Sequence, residues 1–155
     1  MSAIERAAAS DLEAIRGLLA ASGLPVEDLA GSEPEFIVAR RAGRLIGAGA
    51  LQRFGSVALL RSVAVVELER HRSVGQRIVQ ELERMARSVH ITELVLLTQT
   101  AAGFFRRLGY NVIERDAAPA PVQGSAEFRS LCPRSATCMV KSLTADASAI
   151  TRGRT

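Results

Sequence analysis

LLRSVAVVELERHRSVGQRIVQELERMAR, residues Leu59 to Arg87, decides the fold. It opens inside an apolar run from Val57 to Val65, interrupted only by Arg61 and Ser62, as expected of a strand in the middle of a sheet. A basic turn follows, Arg70-His71-Arg72-Ser73-Val74-Gly75, and then a long amphipathic helix. That helix carries Val74, Ile78, Leu82 and Met85 on one stripe and Arg77, Glu81 and Arg84 on the other. The order strand, turn, helix gathers backbone N–H groups and arginines at a helix N-terminus, an arrangement suited to a pyrophosphate. It is not a Walker loop, since no GK[ST] is present, and it lacks the three glycines of a dinucleotide fingerprint. Taken alone, the turn reads equally well as a basic turn before an ordinary surface helix.

Working outward, Ser10 with Glu13 three residues later has the pattern of a capping box. Leu12, Ile15, Leu18 and Leu19 then recur at helical spacing until Gly23-Leu24-Pro25 ends the element. Ala3 to Ala7 reads as a first short strand and Pro25 to Leu29 as a helical turn. Phe36 to Arg40 and Arg44 to Gln52 read as a hairpin about Arg41-Ala42-Gly43, with Gly47 and Gly49 marking close backbone approach. Beyond the central helix, Ile91 to Thr98 is a buried strand, and Thr100 stands as the cap of a short helix stopped by Gly109. Asn111 to Arg115 is a strand, APAPVQG a proline-rich loop, Ala126 to Leu131 a short helix and Ala136 to Ser142 a last strand. These elements make one mixed α/β domain over residues 1–143, with a small polar tail, 144–155, expected to be disordered.

Composition narrows the function classes. The 155 residues are 48% hydrophobic, enough for a core, and no apolar run is long enough to span a membrane. The N-terminus has charges inside its first apolar run and no signal-peptide pattern, so a cytoplasmic location is expected. Net charge is +4, and Lys141 is the single lysine among twenty basic residues. The arginines are spread along the chain, and one tyrosine with no tryptophan offers little for bases to stack on, which argues against nucleic acid. Cys132 and Cys138 have neither CxxC nor zinc spacing and read as free thiols, and no metal site is expected.

A second segment, TQTAAGFFRRLGY (Thr98–Tyr110), is a strand end, a small-residue helix start and an aromatic pair closed by a glycine. Phe104 reads as core. With the basic turn ahead of it, this segment resembles the GNAT superfamily of acetyl-CoA-dependent N-acetyltransferases. That family carries [QR]-x-x-G-x-[GA] between a strand and a helix, and N-x-x-A-x-x-x-Y-x-x-x-G-[FY] after the next strand. The resemblance covers Ile4 to Arg115 and implies a mixed, mostly antiparallel sheet flanked by helices on both faces. LRSVAV, TQTAAGFFRRLGY and EFRSLCPRSATCM are further similar to a group associated with arsenic-resistance operons.

The resemblance also implies a site. Arg70 takes the first motif position and Gly75 the last, so Arg72, Ser73, Val74, Gly75, Gln76 and Arg77 are expected around the pyrophosphate of acetyl-CoA. Val63, Ala64 and Val65 would run beside the pantetheine arm, with the Val65 N–H as donor to the thioester oxygen. Thr98 stands where the family has asparagine. Two departures are notable. Ser73 replaces the first motif glycine, and its Cβ restricts the turn. Phe105 replaces the tyrosine that protonates the leaving thiolate, leaving a water or the Thr100 hydroxyl to substitute.

A general base is not singled out among Glu67, Glu69, His71 and Glu127. Arg53 and Arg61 are candidates to pair with an anionic group on the acceptor. The expected activity is acetyl transfer to a small-molecule amine, amino-acid-like or arsenic-related, by an enzyme that the resemblance makes a homodimer. The alternative is a non-catalytic acetyl-CoA-binding or regulatory module of the same fold.

Overall fold

The computed structural model describes residues 3–24, 34–70, 73–125, 128–129 and 135–143. Seven strands are present: β1 (Ala3–Arg6), β2 (Glu35–Arg41), β3 (Arg44–Phe54), β4 (Val57–Val65), β5 (Glu93–Thr98), β6 (Asn111–Ile113) and β7 (Thr137–Ser142). They form one sheet in the order β1-β2-β3-β4-β5-β7-β6. β4 and β5 run parallel, whereas β1–β2, β2–β3, β5–β7 and β6–β7 are antiparallel. The helices are α1 (Leu12–Ala21), α2 (Val74–Ser88), α3 (Ala102–Arg107) and α4 (Ala120–Gln123). The expected mixed, mostly antiparallel sheet with flanking helices is therefore what forms.

One compact unit comprises Met1–Gln52 and Leu60–Arg84. Its hairpin turns at Ala42 (φ 53°) and Gly43 (φ 79°), two left-handed residues that match the twist of β2 and β3. Ile15 and Leu19 of α1 pack with Val38, Ala48 and Ala64 on one face of the strands. The other face of β3 carries Gly47 and Gly49, and α2 lies against it. A Cβ added at Gly49 would stand 2.7 Å from Ile78 Cγ2 and 2.9 Å from Leu82 Cδ1. The glycines thus thin the strand so that Ile78 and Leu82, both fully buried, reach its backbone.

The start of α1 differs from the expected Ser10–Glu13 box. A 3-10 turn at Ala9–Asp11 precedes the helix, and Asp11 Oδ2 accepts the Ala8 N–H at 2.8 Å. Asp11 wins because its other oxygen accepts from Arg40 Nη2 at 2.6 Å, whereas Glu13 is solvated beside Arg16. Arg40 also donates to Glu5, 2.8 Å away, so one guanidinium joins β1, β2 and the entry to α1.

The second unit comprises Arg53–Leu59 and Met85–Thr155. Val57–Leu59 of β4 pair with Glu93–Val95 of β5, and β5 pairs along its whole length with β7. Val57, Leu59, Val95, Val122, Phe128 and Cys138 form its core. Gly109 (φ 98°) ends α3 as expected: Gly109 N–H bonds Arg106 O and Tyr110 N–H bonds Phe105 O, the paired bonds of a Schellman stop. Lys141 Nζ donates to Leu108 O at 2.9 Å and lies 5.5 Å from the Tyr110 ring centroid. The lone lysine thus neutralises the carbonyl end of α3.

Several boundaries and one cap differ from expectation. The expected strand to Arg115 ends at Ile113, because a 3-10 turn takes Arg115–Ala117. The proline-rich loop contains α4, whose first turn has no use for the N–H that Pro121 lacks. Thr98, rather than Thr100, serves the start of α3, since Thr98 Oγ1 accepts the Ala101 N–H at 3.0 Å. Of the helix expected over 126–131, Phe128 and Arg129 are described, and Arg129 N–H bonds Ser125 O as a helical turn requires. The expected turn at 25–29 and the tail from 144 lie outside the described residues.

Two consequences are measurable. Replacing Gly49 by Val drives methyls into Ile78 and Leu82 and should destabilise the protein by about 1–3 kcal/mol in urea melts. The Asp11 carboxyl is held below the usual carboxylate range, first by the Arg40 hydrogen bond and then by the Ala8 N–H. A lowered folded-state value stabilises above the ordinary pKa and is lost as pH falls through the lowered one. Wild type should therefore exceed Asp11→Asn in stability at pH 7, with the gap closing below about pH 4.

Candidate functional site

In the first unit, the site begins with the backbone of β4. Val66 donates its N–H to Ile46 O of β3 at 2.8 Å. Amide directions alternate along an extended chain, so the Val65 N–H and carbonyl point away from β3. Arg70 agrees with this geometry, for its Nε donates to Val65 O at 3.1 Å. Val63 faces the side of β3 that carries Gly49, and Ala64 is buried in the cluster with α1. Upstream, Ser62 stands at φ 60° inside the strand, a left-handed residue that resets the strand before Val63.

The helix that follows begins with donors its own ladder leaves over. Arg77 N–H bonds Ser73 O at 3.0 Å, the first i to i−4 bond of α2. The amides of Val74, Gly75 and Gln76 precede that bond, and among the described residues the helix ladder offers them no acceptor. They open the 15-residue α2, whose dipole favours an anion at this end. Val74 is buried as the anchor of the first turn, while Gly75 and Arg77 are half-buried and Gln76 is exposed. Ser73 has φ 65°, the conformation the missing glycine would adopt freely. Position 73 keeps a glycine-like backbone although its residue is serine. Arg72 and His71 lie outside the described residues.

The second unit holds the remaining expected residues. Thr98 is half-buried and its hydroxyl is committed to Ala101, as given above. Thr100 is exposed in the bend before α3. Phe105, and not Phe104, is the more buried of the aromatic pair. Its ring meets Phe104 edge-on at 5.0 Å and Tyr110 at 5.5 Å between centroids. Phe105 is thus a packed core residue whose ring brings no exchangeable proton.

Several acid, base and thiol candidates sort themselves out. Glu69 is engaged by Arg41, with Nε to Oε1 at 3.1 Å, which makes it a structural partner. Glu67 is exposed. Arg61 is only 3% exposed and donates from Nη1 to Gln52 Oε1 at 3.0 Å, so it belongs to the sheet interior rather than to the surface arginines. Burial pushes the Cys138 thiol up to about 11, which keeps it protonated and unreactive. Glu127 and Cys132 lie outside the described residues, and among the described ones no cluster of three or more His, Cys, Asp or Glu is placed to hold a metal. Likewise, no described helix is long and apolar enough to cross a membrane.

A feature the sequence reading missed is a cleft of about 370 Å³ in the first unit, lined by Ala14, Gly17, Leu18 and Ala21 of α1 and by Leu45, Val66, Glu67 and Arg70. Only one wall of it was visible in the sequence: Ala14, Gly17 and Ala21 recur at helical spacing, which puts small residues on one face of α1.

Comparison with known proteins follows the same lines. A family profile described as an acetyltransferase (GNAT) domain matches residues 32–112. An uncharacterized N-acetyltransferase of Chlorobaculum tepidum is 31% identical over 123 residues, covering 76% of this chain and 77% of that protein. Among solved structures, Rv2747 from Mycobacterium tuberculosis, in complex with CoA, matches with a TM-score of 0.76 and 27% identity over 90% of this chain and 98% of its own. N-acetylglutamate synthase from Neisseria gonorrhoeae, complexed with coenzyme A and N-acetyl-glutamate, has a TM-score of 0.80 at 22% identity. The match covers 92% of this chain, which spans only 35% of that synthase.

The conformation of Ser73 is testable. A β-branched residue is poorly tolerated at positive φ, so Ser73→Val should lower stability by about 1–2 kcal/mol. Ser73→Gly should match or exceed wild type in the same denaturant melts.

Proposed function

The chain belongs to the GNAT family of acetyl-CoA-dependent N-acetyltransferases, and from that premise we propose that it acetylates the amine of a small amino-acid-like molecule, with the donor's pyrophosphate on the open amides of α2. The observation that carries this reading is the pairing of two features of one unit: three amides ahead of the first α2 bond, and a Val65 N–H turned away from β3. The first suits a pyrophosphate and the second a thioester oxygen.

In this reading Ser73, Val74, Gly75, Gln76 and Arg77 surround the pyrophosphate, and the family motif adds Arg72. The backbone of Val63, Ala64 and Val65 pairs with the pantetheine arm. The acceptor's ammonium loses a proton, its lone pair forms the C–N bond, and the C–S bond breaks. A second proton leaves the nitrogen after attack. One of the two protons ends on the thiolate, delivered by a water, and the other in solvent. Donating the Val65 N–H to the oxygen that gains charge is worth about 2.7–4 kcal/mol of barrier.

An amino-acid-like acceptor is supported by the solved synthase bound to N-acetyl-glutamate. The narrower link to arsenic resistance has no counterpart among these relatives, so an organoarsenical amino acid enters only as one member of the acceptor panel. Phe105 favours a second reading, a CoA-binding module without turnover, because its buried ring leaves the tyrosine's task to another group.

Two measurements test the proposal. Acetyl-CoA titrated by calorimetry should bind wild type, and Gly75→Leu should weaken that binding by about 100-fold or more through loss of backbone approach. Unchanged binding would remove the site from α2. Thiol release over a panel of amines should then show turnover; silence with acetyl-CoA bound would select the non-catalytic module.

A further inference from the structure

We infer that the cleft between α1 and the turn after β4 receives the acceptor, an α-amino acid, and that Gly17 sets the room for its side chain. The inference rests on the reading of the chain as an amine acetyltransferase with Val65 as thioester donor. Gly17 lies inside α1, where glycine weakens a helix relative to alanine. At Gly47 and Gly49 the protein fills the space that a missing side chain leaves, with Ile78, Val74 and Leu82. At Gly17 it does not: a Cβ built there meets nothing within 4 Å. That open space gives onto the cleft of about 370 Å³, a volume within the range of small-molecule sites.

The lining identifies the occupant. Val66, the residue after the proposed donor, forms part of the wall, so the cleft begins one residue beyond the thioester position. Glu67 and Arg70 are its charged lining residues, set among Ala14, Gly17, Leu18 and Ala21. A carboxylate and a guanidinium in one small apolar cleft complement the ammonium and carboxylate of an α-amino acid. Arg70 uses its Nε on Val65 O, and a guanidinium keeps four further N–H donors for a carboxylate. Arg70 thereby serves the acceptor rather than the pyrophosphate, and Glu67 is the group that meets the amine.

The test uses the full chain, acetyl-CoA and the standard α-amino acids, with polyamines and arylamines as a second panel. Wild type should release thiol with α-amino acids. Gly17→Phe should raise KM for the best of them by about tenfold or more, with acetyl-CoA affinity within about twofold of wild type. Gly17→Ala should raise the melting temperature and move KM less, while Ala21→Phe, on the same face, should repeat the KM effect if Gly17→Phe folds poorly. Glu67→Gln should raise KM for the same amino acids. Unchanged KM in folded Gly17→Phe and Ala21→Phe would overturn the cleft assignment. Turnover with polyamines or arylamines alone would overturn the amino-acid occupant while leaving the transferase reading intact. Silence with every amine would overturn both.

Discussion

The contact of α2 with the glycine-thinned face of β3 is the constraint on which the chemistry depends. Ile78 and Leu82 sit where the side chains of Gly47 and Gly49 would be, so the helix lies one side chain closer to the sheet than ordinary packing allows. The axis of α2 is then fixed, and so is the place where its first turn starts after β4. Open amides at a helix N-terminus are common. Here they are held against a strand whose own donor, the Val65 N–H, faces away from β3, and the proposed reaction site rests on that pairing.

Two serines carry the backbone cost of this arrangement. Ser62 and Ser73 both occupy the left-handed region, at φ 60° and 65°, where a non-glycine residue is disfavoured by roughly 1–2 kcal/mol. One resets β4 before Val63 and the other opens α2. Strained residues persist where the surrounding packing over-determines them, and the buried Val74, Ile78 and Ala64 supply that packing.

Much of this was legible in the residues. All seven strands and the buried stripe of α2 follow from apolar periodicity, and Gly109 marks the end of α3 because a Schellman stop needs positive φ. The serine at position 73 was visible as a departure, and its conformation explains why it matters. Other features were not readable, because they depend on contacts far apart in sequence. Asp11 displaces the Ser10–Glu13 box only because Arg40, 29 residues away, holds its second oxygen. Arg61 looks like one more surface arginine until Gln52 is found beside it. The cleft at Gly17 exists only because the turn after β4 stands near α1, which no local pattern encodes.

Acetyl-group transfer is family chemistry, and what is proposed for this chain is where the donor lies. The structure of the protein crystallised with coenzyme A tests that placement most directly. The pyrophosphate is expected on the amides of Val74, Gly75 and Gln76, with the pantetheine arm along Val63 to Val65 and its thiol end near the Val65 N–H. Coenzyme A bound with its phosphates away from the start of α2, or its arm off the β4 edge, would contradict the account.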